Sequence, residues 1–258
     1  MAGTAESQGA HLSFPDHFSR APEDYRAFRP TYPDELFAHV ASLCTRRGRA
    51  LECGAGSGQA TPGIVRHFET VLTTDASHAQ LRSAPTGGGL RVVCLAEVVP
   101  LRDGSVDLVA VAQALHWLRL DAFFQEVRRV AAPGAVLAAW TYGLPEVAIE
   151  VDERVRAFAH GQIGPFWPPG RVHVETRYAD VPFPFDALQG PPFEAARRMT
   201  GEQFVGYVGT WSAVKRAAAA TGRDPVEALR RDLEVLWGPT ERERLVRWPL
   251  TLKAGRIR

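Results

Sequence analysis

The chain has 258 residues, 45% of them apolar, and a formal net charge of +1. This is enough to bury a full α/β core with an insert, and the near-neutral balance with scattered arginines offers no basic stripe for nucleic acid. There is no leading apolar segment and no apolar run of about 18 residues, so neither secretion nor a membrane span is expected.

Residues 1–17 read as a loose tail, with one domain from Phe18 onward. Pro33 to Cys44 predicts an amphipathic helix, with Leu36, Phe37, Val40, Leu43 and Cys44 on one face. Acids open it, Arg46 and Arg47 close it, and Gly48 is the expected cap. Then follow a strand at Ala50–Cys53, a helix from about Thr61, a strand at Val71–Asp75, a short helix near Ala79 and a strand at Arg91–Leu95. Leu108–Ala112 is uniformly apolar, as in a parallel strand covered on both faces. A helix over Asp121–Val130 and a strand over Ala135–Trp140 come next. Helices are expected near Gly201–Tyr207, Thr210–Ala219 and Pro225–Trp237. Val246–Lys253 alternates with period two, and Pro249 argues for a place towards the edge of the sheet. Alternating strands and helices of this kind form one doubly wound sheet. Cys44, Cys53 and Cys94 lack metal-type spacing and read as small buried hydrophobes of a reducing, cytoplasmic setting.

The segment Glu52-Cys53-Gly54-Ala55-Gly56-Ser57-Gly58 carries the chemistry. A strand that stops in a glycine-rich loop leaves backbone N–H groups accessible to a ligand, and the next helix N-terminus favours an anionic group. A nicotinamide fingerprint needs a small sixth residue, but Gln59 and Thr61 stand there in the two possible registers. A phosphate-binding loop needs a Gly-Lys pair, which is missing. Asp75 lies at roughly the 20-residue spacing of a ribose-binding carboxylate, or it caps the next helix in competition with Ser77.

The pattern acid-x-Gly-x-Gly-x-Gly, with Asp75 and the Pro100 to Asp107 approach to the next strand, resembles the class I Rossmann-like S-adenosylmethionine (SAM) methyltransferases. The resemblance implies a mostly parallel seven-stranded sheet with an antiparallel last strand. It also implies SAM as cofactor, its methionine end over Gly54, Ala55, Gly56 and Gly58 below Glu52, its ribose on Asp75 and its adenine near Ala96 and Glu97. Glu97 also reads as a plain solvated acid. Gln113-Ala114-Leu115-His116-Trp117 follows a strand end and so faces the ligand side of such a sheet, with Gln113 beside the cofactor. His116 is a candidate base, or a residue packed at a helix start. An Asn/Asp-Pro-Pro-aromatic sequence is absent there, which speaks against amino-group methylation of DNA or protein amides.

The stretch Tyr25 to Pro33, with Arg29-Pro30-Thr31-Tyr32-Pro33, resembles the N-terminus of small-molecule methyltransferases similar to the trans-aconitate methyltransferases. Glu52 and Ala55 replace that pattern's commoner Asp and Cys, and Thr61-Pro62 is a less usual start to the following helix. Tyr25 and Arg29 would share a helix face and close the pocket, Arg29 clamping a carboxylate of SAM or of the substrate; packing of the N-terminal arm is the alternative. Residues 161–237 read as a cap insert, aromatic and proline-rich up to Phe193. Tyr25, Arg29 and His116 are thus the candidate catalytic residues. The expected reaction is methyl transfer from SAM to a small-molecule acceptor, a carboxylate or hydroxyl oxygen being favoured. A nicotinamide oxidoreductase and a non-catalytic SAM-binding protein are the alternatives.

Overall fold

The computed structural model describes residues 28–258 apart from Thr86 and Gly88. Five parallel strands form the centre of the sheet: β1 (Arg49–Cys53), β2 (Thr70–Asp75), β3 (Leu90–Val93), β4 (Val106–Ala112) and β5 (Ala131–Tyr142). They lie in the order β3-β2-β1-β4-β5. The long β8 (Arg244–Arg256) then runs antiparallel to β5. Its other side carries β6 (Asp186–Leu188) and β7 (Phe193–Met199), one after the other along the same edge. The sheet therefore has seven positions but eight strands. Pro191 and Pro192 separate the two segments, since neither can donate to a ladder.

This topology corrects the reading of Pro249, because β8 lies inside the sheet. Arg247 exchanges both backbone hydrogen bonds with Glu146, on the β5 side. Pro249, two residues on, points its nitrogen the same way, just beyond the last β5 pair at Tyr142 and Leu250. No strand residue there requires a donor.

Helix α1 (Asp34–Leu43) is close to its expected bounds, but Gly48 does not cap it. The chain turns extended at Cys44, and the Gly48 N–H instead donates to Asp107 Oδ2 at 2.9 Å, at the foot of β1. Leu36, Phe37, Val40 and Ala41 pack against Ala50, Leu108, Ala110, Val136 and Ala138 on one face of the sheet. The alternate residues Leu51, Val109, Val111, Leu137 and Ala139 face α4 (Leu120–Val130), with Phe123, Phe124, Val127 and Val130. Each strand thus supplies two cores, which explains why β4 is apolar throughout.

Between β1 and β4 the crossovers are α2 (Thr61–Val65) and α3 (His78–Ser83). After β5 come α5 (Ile149–Ala157), unpredicted from the sequence, and the one-turn α6 (Arg171–Glu175). Then α7 (Gly201–Gly209), α8 (Ser212–Thr221) and α9 (Glu227–Trp237) build over the α1 face through Phe204, Tyr207, Trp211, Leu233 and Trp237. Residues 161–237 therefore include two strands of the sheet, β6 and β7, as well as helices. Their aromatics divide: Phe183 and Phe185 pack edge-on against Phe124 on the α4 side, whereas Trp167 stacks near Trp211.

Two close contacts set the start of α2. An added Cβ on Gly63 would lie 2.1 Å from the Phe37 ring. Behind the helix, the Thr61 hydroxyl donates to Glu52 Oε2 at 2.6 Å, and Glu52 is fully buried. Its Oε1 has no hydrogen-bond partner among the described residues. Burial, first of all, raises the Glu52 carboxyl from an ordinary 4.5 to about 7, and the Thr61 hydrogen bond only partly opposes this.

Gly63→Ala should lose about 1–3 kcal/mol of stability through overpacking on Phe37, read from urea unfolding. Glu52 makes a pH-dependent contribution. Below pH 4.5 the carboxyl is protonated in both states; between 4.5 and about 7 only the folded chain keeps the proton, so stability falls as pH rises through that window. Glu52→Gln should flatten this slope and, at pH 8, raise stability by at most about 3 kcal/mol, as read from urea midpoints across pH 5–9.

Candidate functional site

All five parallel strands end on one side of the sheet, and a cavity of about 470 Å³ opens over those ends. That is the side on which open α/β sheets bind ligands. Of the residues expected from the sequence, Gly54, Ala55, Gly56, Asp75, Ala96, Glu97 and Gln113 line it, and Arg29 closes its rim. Glu52 and Gly58 do not reach its wall. Glu52 is buried behind the loop, and Gly58 turns towards Ala84 and Pro85. Tyr25 lies outside the described residues.

The loop after β1 is bent by positive φ angles at Gly54 (65°) and Gly56 (57°). A Cβ on Gly54 would stand 2.6 Å from Ala114 Cβ, so only glycine lets the loop pass beneath the end of β4. Asp75 fixes the bend. Its Oδ2 accepts the Gly56 N–H and its Oδ1 the Ser77 N–H, both at 2.8 Å. Ser77, not Asp75, caps α3 by accepting the Gln80 N–H. Asp75 therefore lines the cavity at the end of β2 while holding both segments.

Glu97 is buried rather than solvated. Its Oε1 accepts the Arg119 N–H at 2.8 Å, which ties the cavity wall to the start of α4. Gln113 adopts φ 53°, a conformation that costs a non-glycine residue on the order of 1 kcal/mol. Its amide offsets this. Oε1 accepts from the Thr141 hydroxyl at 2.6 Å and the Tyr142 N–H at 2.9 Å, while Nε2 donates to the Tyr142 carbonyl at 2.9 Å. The side chain clamps the ends of β4 and β5 together.

A second, smaller cavity of about 60 Å³ adjoins the first and shares Arg29, Gln113, Trp117 and Tyr142 with it. His116, Trp167, Tyr207 and Trp211 give it aromatic walls. His116 Nδ1 lies 3.1 Å from the Tyr178 hydroxyl. Burial, aided by the nearby Arg171, His173 and Arg29, pulls the imidazole down to about 3, so it is neutral at ordinary pH. Arg29 is held in place: Nε donates to Thr210 Oγ1 at 2.9 Å, Nη1 to the Tyr142 hydroxyl at 3.3 Å, and the group lies 5.4 Å from the Tyr207 ring centre.

A third cavity, of about 370 Å³, continues outward from the second through Tyr142, Gly143, Leu144, Arg171 and Val174. Tyr142 and Arg171 went unnoticed in the sequence. Tyr142 could have been found as the end of the fifth parallel strand, whereas nothing local marks Arg171. Among the described residues no cluster of His, Cys, Asp or Glu could hold a metal ion, and no helix is long and apolar enough to cross a membrane.

Residues 51–139 match the family model of a methyltransferase domain. A protein described as a methyltransferase in Dictyostelium discoideum is 32% identical over 225 residues, covering 85% of this chain and 86% of its own length. A methyltransferase-like protein of Schizosaccharomyces pombe is 30% identical over 175 residues, which are 62% of this chain and 68% of its own. The solved structure of a protein described as a type II methyltransferase from Anaeromyxobacter dehalogenans superimposes with a TM-score of 0.81 at 46% identity, covering 89% of this chain and 98% of that one. With a glycine-bent loop, an acid at the next strand end and a cavity between them, this chain belongs to the class I SAM-dependent methyltransferase family.

Proposed function

We propose that the chain methylates an oxygen of a small, planar acceptor, a carboxylate in preference to a phenol. The observation that carries this reading is the shared wall of Arg29, Gln113, Trp117 and Tyr142 between the large cavity and the small aromatic one. The residues of the large cavity suit SAM: its volume falls in the range of small-molecule sites, and the loop at its floor passes so close beneath Ala114 that only glycine fits at Gly54. Bound SAM supplies a methyl group on a sulfonium, which makes the leaving group good.

On this reading Asp75 accepts the ribose hydroxyls, the backbone at Ala96 and the carboxylate of Glu97 meet the adenine edge, and Gly54, Ala55 and Gly56 underlie the methionine end. Arg29 pairs with the cofactor's carboxylate, its fork already oriented by Thr210 and Tyr142. Glu52 and Gly58 act at one remove, Glu52 by holding the start of α2. Gln113 holds the shared wall. Tyr25, from the sequence reading, remains part of the proposal as a closing residue over the pocket.

The choice of oxygen follows from His116. A neutral imidazole at about 3 is a poor base for a phenol near 10: the proton transfer would be uphill by roughly 10 kcal/mol. A carboxylate is already ionised and needs no base, so positioning and exclusion of water supply the rate. His116 then serves to orient the acceptor, with Tyr178 fixing its ring.

Calorimetric titration should show SAM and S-adenosylhomocysteine binding to the protein, weakened at least tenfold in Asp75→Ala. Failure of both compounds to bind folded protein would sink the cofactor site. S-adenosylhomocysteine formation against a panel of aromatic and unsaturated carboxylic acids and matched phenols should yield methyl esters. For the best acid, His116→Gln should keep kcat within about fivefold, with a rate flat across pH 6–9. Turnover of phenols alone, abolished by that substitution, would overturn the choice of oxygen.

A further inference from the structure

Arg171 stands apart from the other cations of the site. It opens α6, its N–H donating to the Pro168 carbonyl at 2.9 Å, and its guanidinium lies 4.3 Å from the centre of the Trp167 ring. Trp167 is itself fixed, since Nε1 donates to the Ala159 carbonyl at 2.8 Å. Only 14% of the Arg171 side chain is exposed, yet its single hydrogen bond runs from Nε to Glu175 Oε1 at a long 3.4 Å. Among the described residues that is the one side-chain hydrogen bond of Arg171, and its terminal nitrogens keep access to the cavities it lines. A guanidinium presents five N–H donors, and removing it from water without matching acceptors is costly. Burial accordingly pulls it below the usual arginine range. Arg29 differs in this respect, because each of its three nitrogens donates to Thr210 or Tyr142, which orient it at the cofactor cavity.

The position of Arg171 gives the open fork a purpose. It lines the small aromatic cavity and the outer cavity, but not the large cofactor cavity. Methyl transfer on this reading occurs at the wall that the large and small cavities share, whereas Arg171 stands where the small cavity meets the outer one. The outer cavity carries Arg156, His160 and Arg177 besides Arg171, opposed by Glu146, Asp152 and Glu175. Three arginines face three carboxylates there, so selection cannot come from a bulk field and falls on the one buried guanidinium.

We infer that Arg171 recognises an anionic group of the acceptor, of carboxylate type and remote from the atom that is methylated, and that the acceptor enters by the outer cavity. The inference rests on the methyltransferase reading of the site and adds the recognition element. A planar anion meets the two terminal nitrogens side by side while the aromatic walls hold the acceptor's body, and stacking on Trp167 keeps the fork in place before binding. Arg171 is thus a specificity residue at the acceptor's far end.

The test uses the full chain saturated with S-adenosylhomocysteine and three probe acids, benzoate, phenylacetate and cinnamate, each titrated calorimetrically beside its uncharged amide. At least one acid should bind the wild-type complex tenfold or more tightly than its amide. Arg171→Gln should remove that preference while leaving amide and S-adenosylhomocysteine affinities within about twofold, and Arg171→Lys should restore part of it. An acid preference that survives Arg171→Gln, or the absence of preference for all three acids in wild type, would overturn the inference. If Arg171→Gln fails to fold, the intermediate preference of Arg171→Lys decides, and an unchanged preference there counts against it. Because cofactor-product binding is measured in the same titrations, its failure refutes the methyltransferase site, whereas its success without acid selectivity refutes only the role of Arg171.

Discussion

The carboxylate of Asp75, gripped by two backbone N–H groups, is the point on which the site turns. One of its oxygens accepts from Gly56 in the loop after β1, and the other from Ser77 at the start of α3. The Ala55 N–H, donating to the Thr74 carbonyl at 3.0 Å, adds a third tie between the same segments. Hydrogen bonds to a charged acceptor contribute about 1.5–3 kcal/mol each. They suffice to hold Gly54 and Gly56 in their left-handed bends and to fix the floor of the large cavity before any ligand arrives. A cofactor that meets a loop already bent avoids the ordering cost that a flexible one would impose.

A similar arrangement recurs on the opposite wall. Gln113 sits in a backbone conformation that it would not choose alone, and three hydrogen bonds to the end of β5 keep it there. The same residue lines both the cofactor cavity and the aromatic one. The end of β4 is therefore both an anchor of the sheet and the partition at which donor and acceptor meet. Tyr142, whose backbone Gln113 grips and whose hydroxyl accepts from Arg29, links that partition to the helical layer above.

The central sheet was legible because its signals are local: an apolar β4, a glycine run after β1, an acid closing β2. The floor of the cavity was legible for the same reason, and Gly54, Gly56 and Asp75 stand where the spacing placed them. Three kinds of feature escaped. Helix α5 opens on Ile149, which stays exposed, and its weak amphipathic pattern gives little periodicity to detect. Strands β6 and β7 are defined only by pairing with β8, more than forty residues downstream, and the prolines that flank them hide their extent. The linear pattern points Glu52 and Gly58 at the ligand, whereas three-dimensional packing turns one behind the loop and the other towards Ala84. Arg171 carries no sequence mark at all, since what distinguishes it is the scarcity of partners once buried.

The interrupted far side of the sheet bears on behaviour at high concentration. On one rim, β3 offers only four residues to an incoming chain. On the other, a prolyl break divides the rim into a three-residue piece and a seven-residue piece studded with Glu194, Arg197 and Arg198. Neither rim gives a stranger a long, uncharged template on which to add, so the fold carries a built-in guard against open-ended strand-by-strand growth.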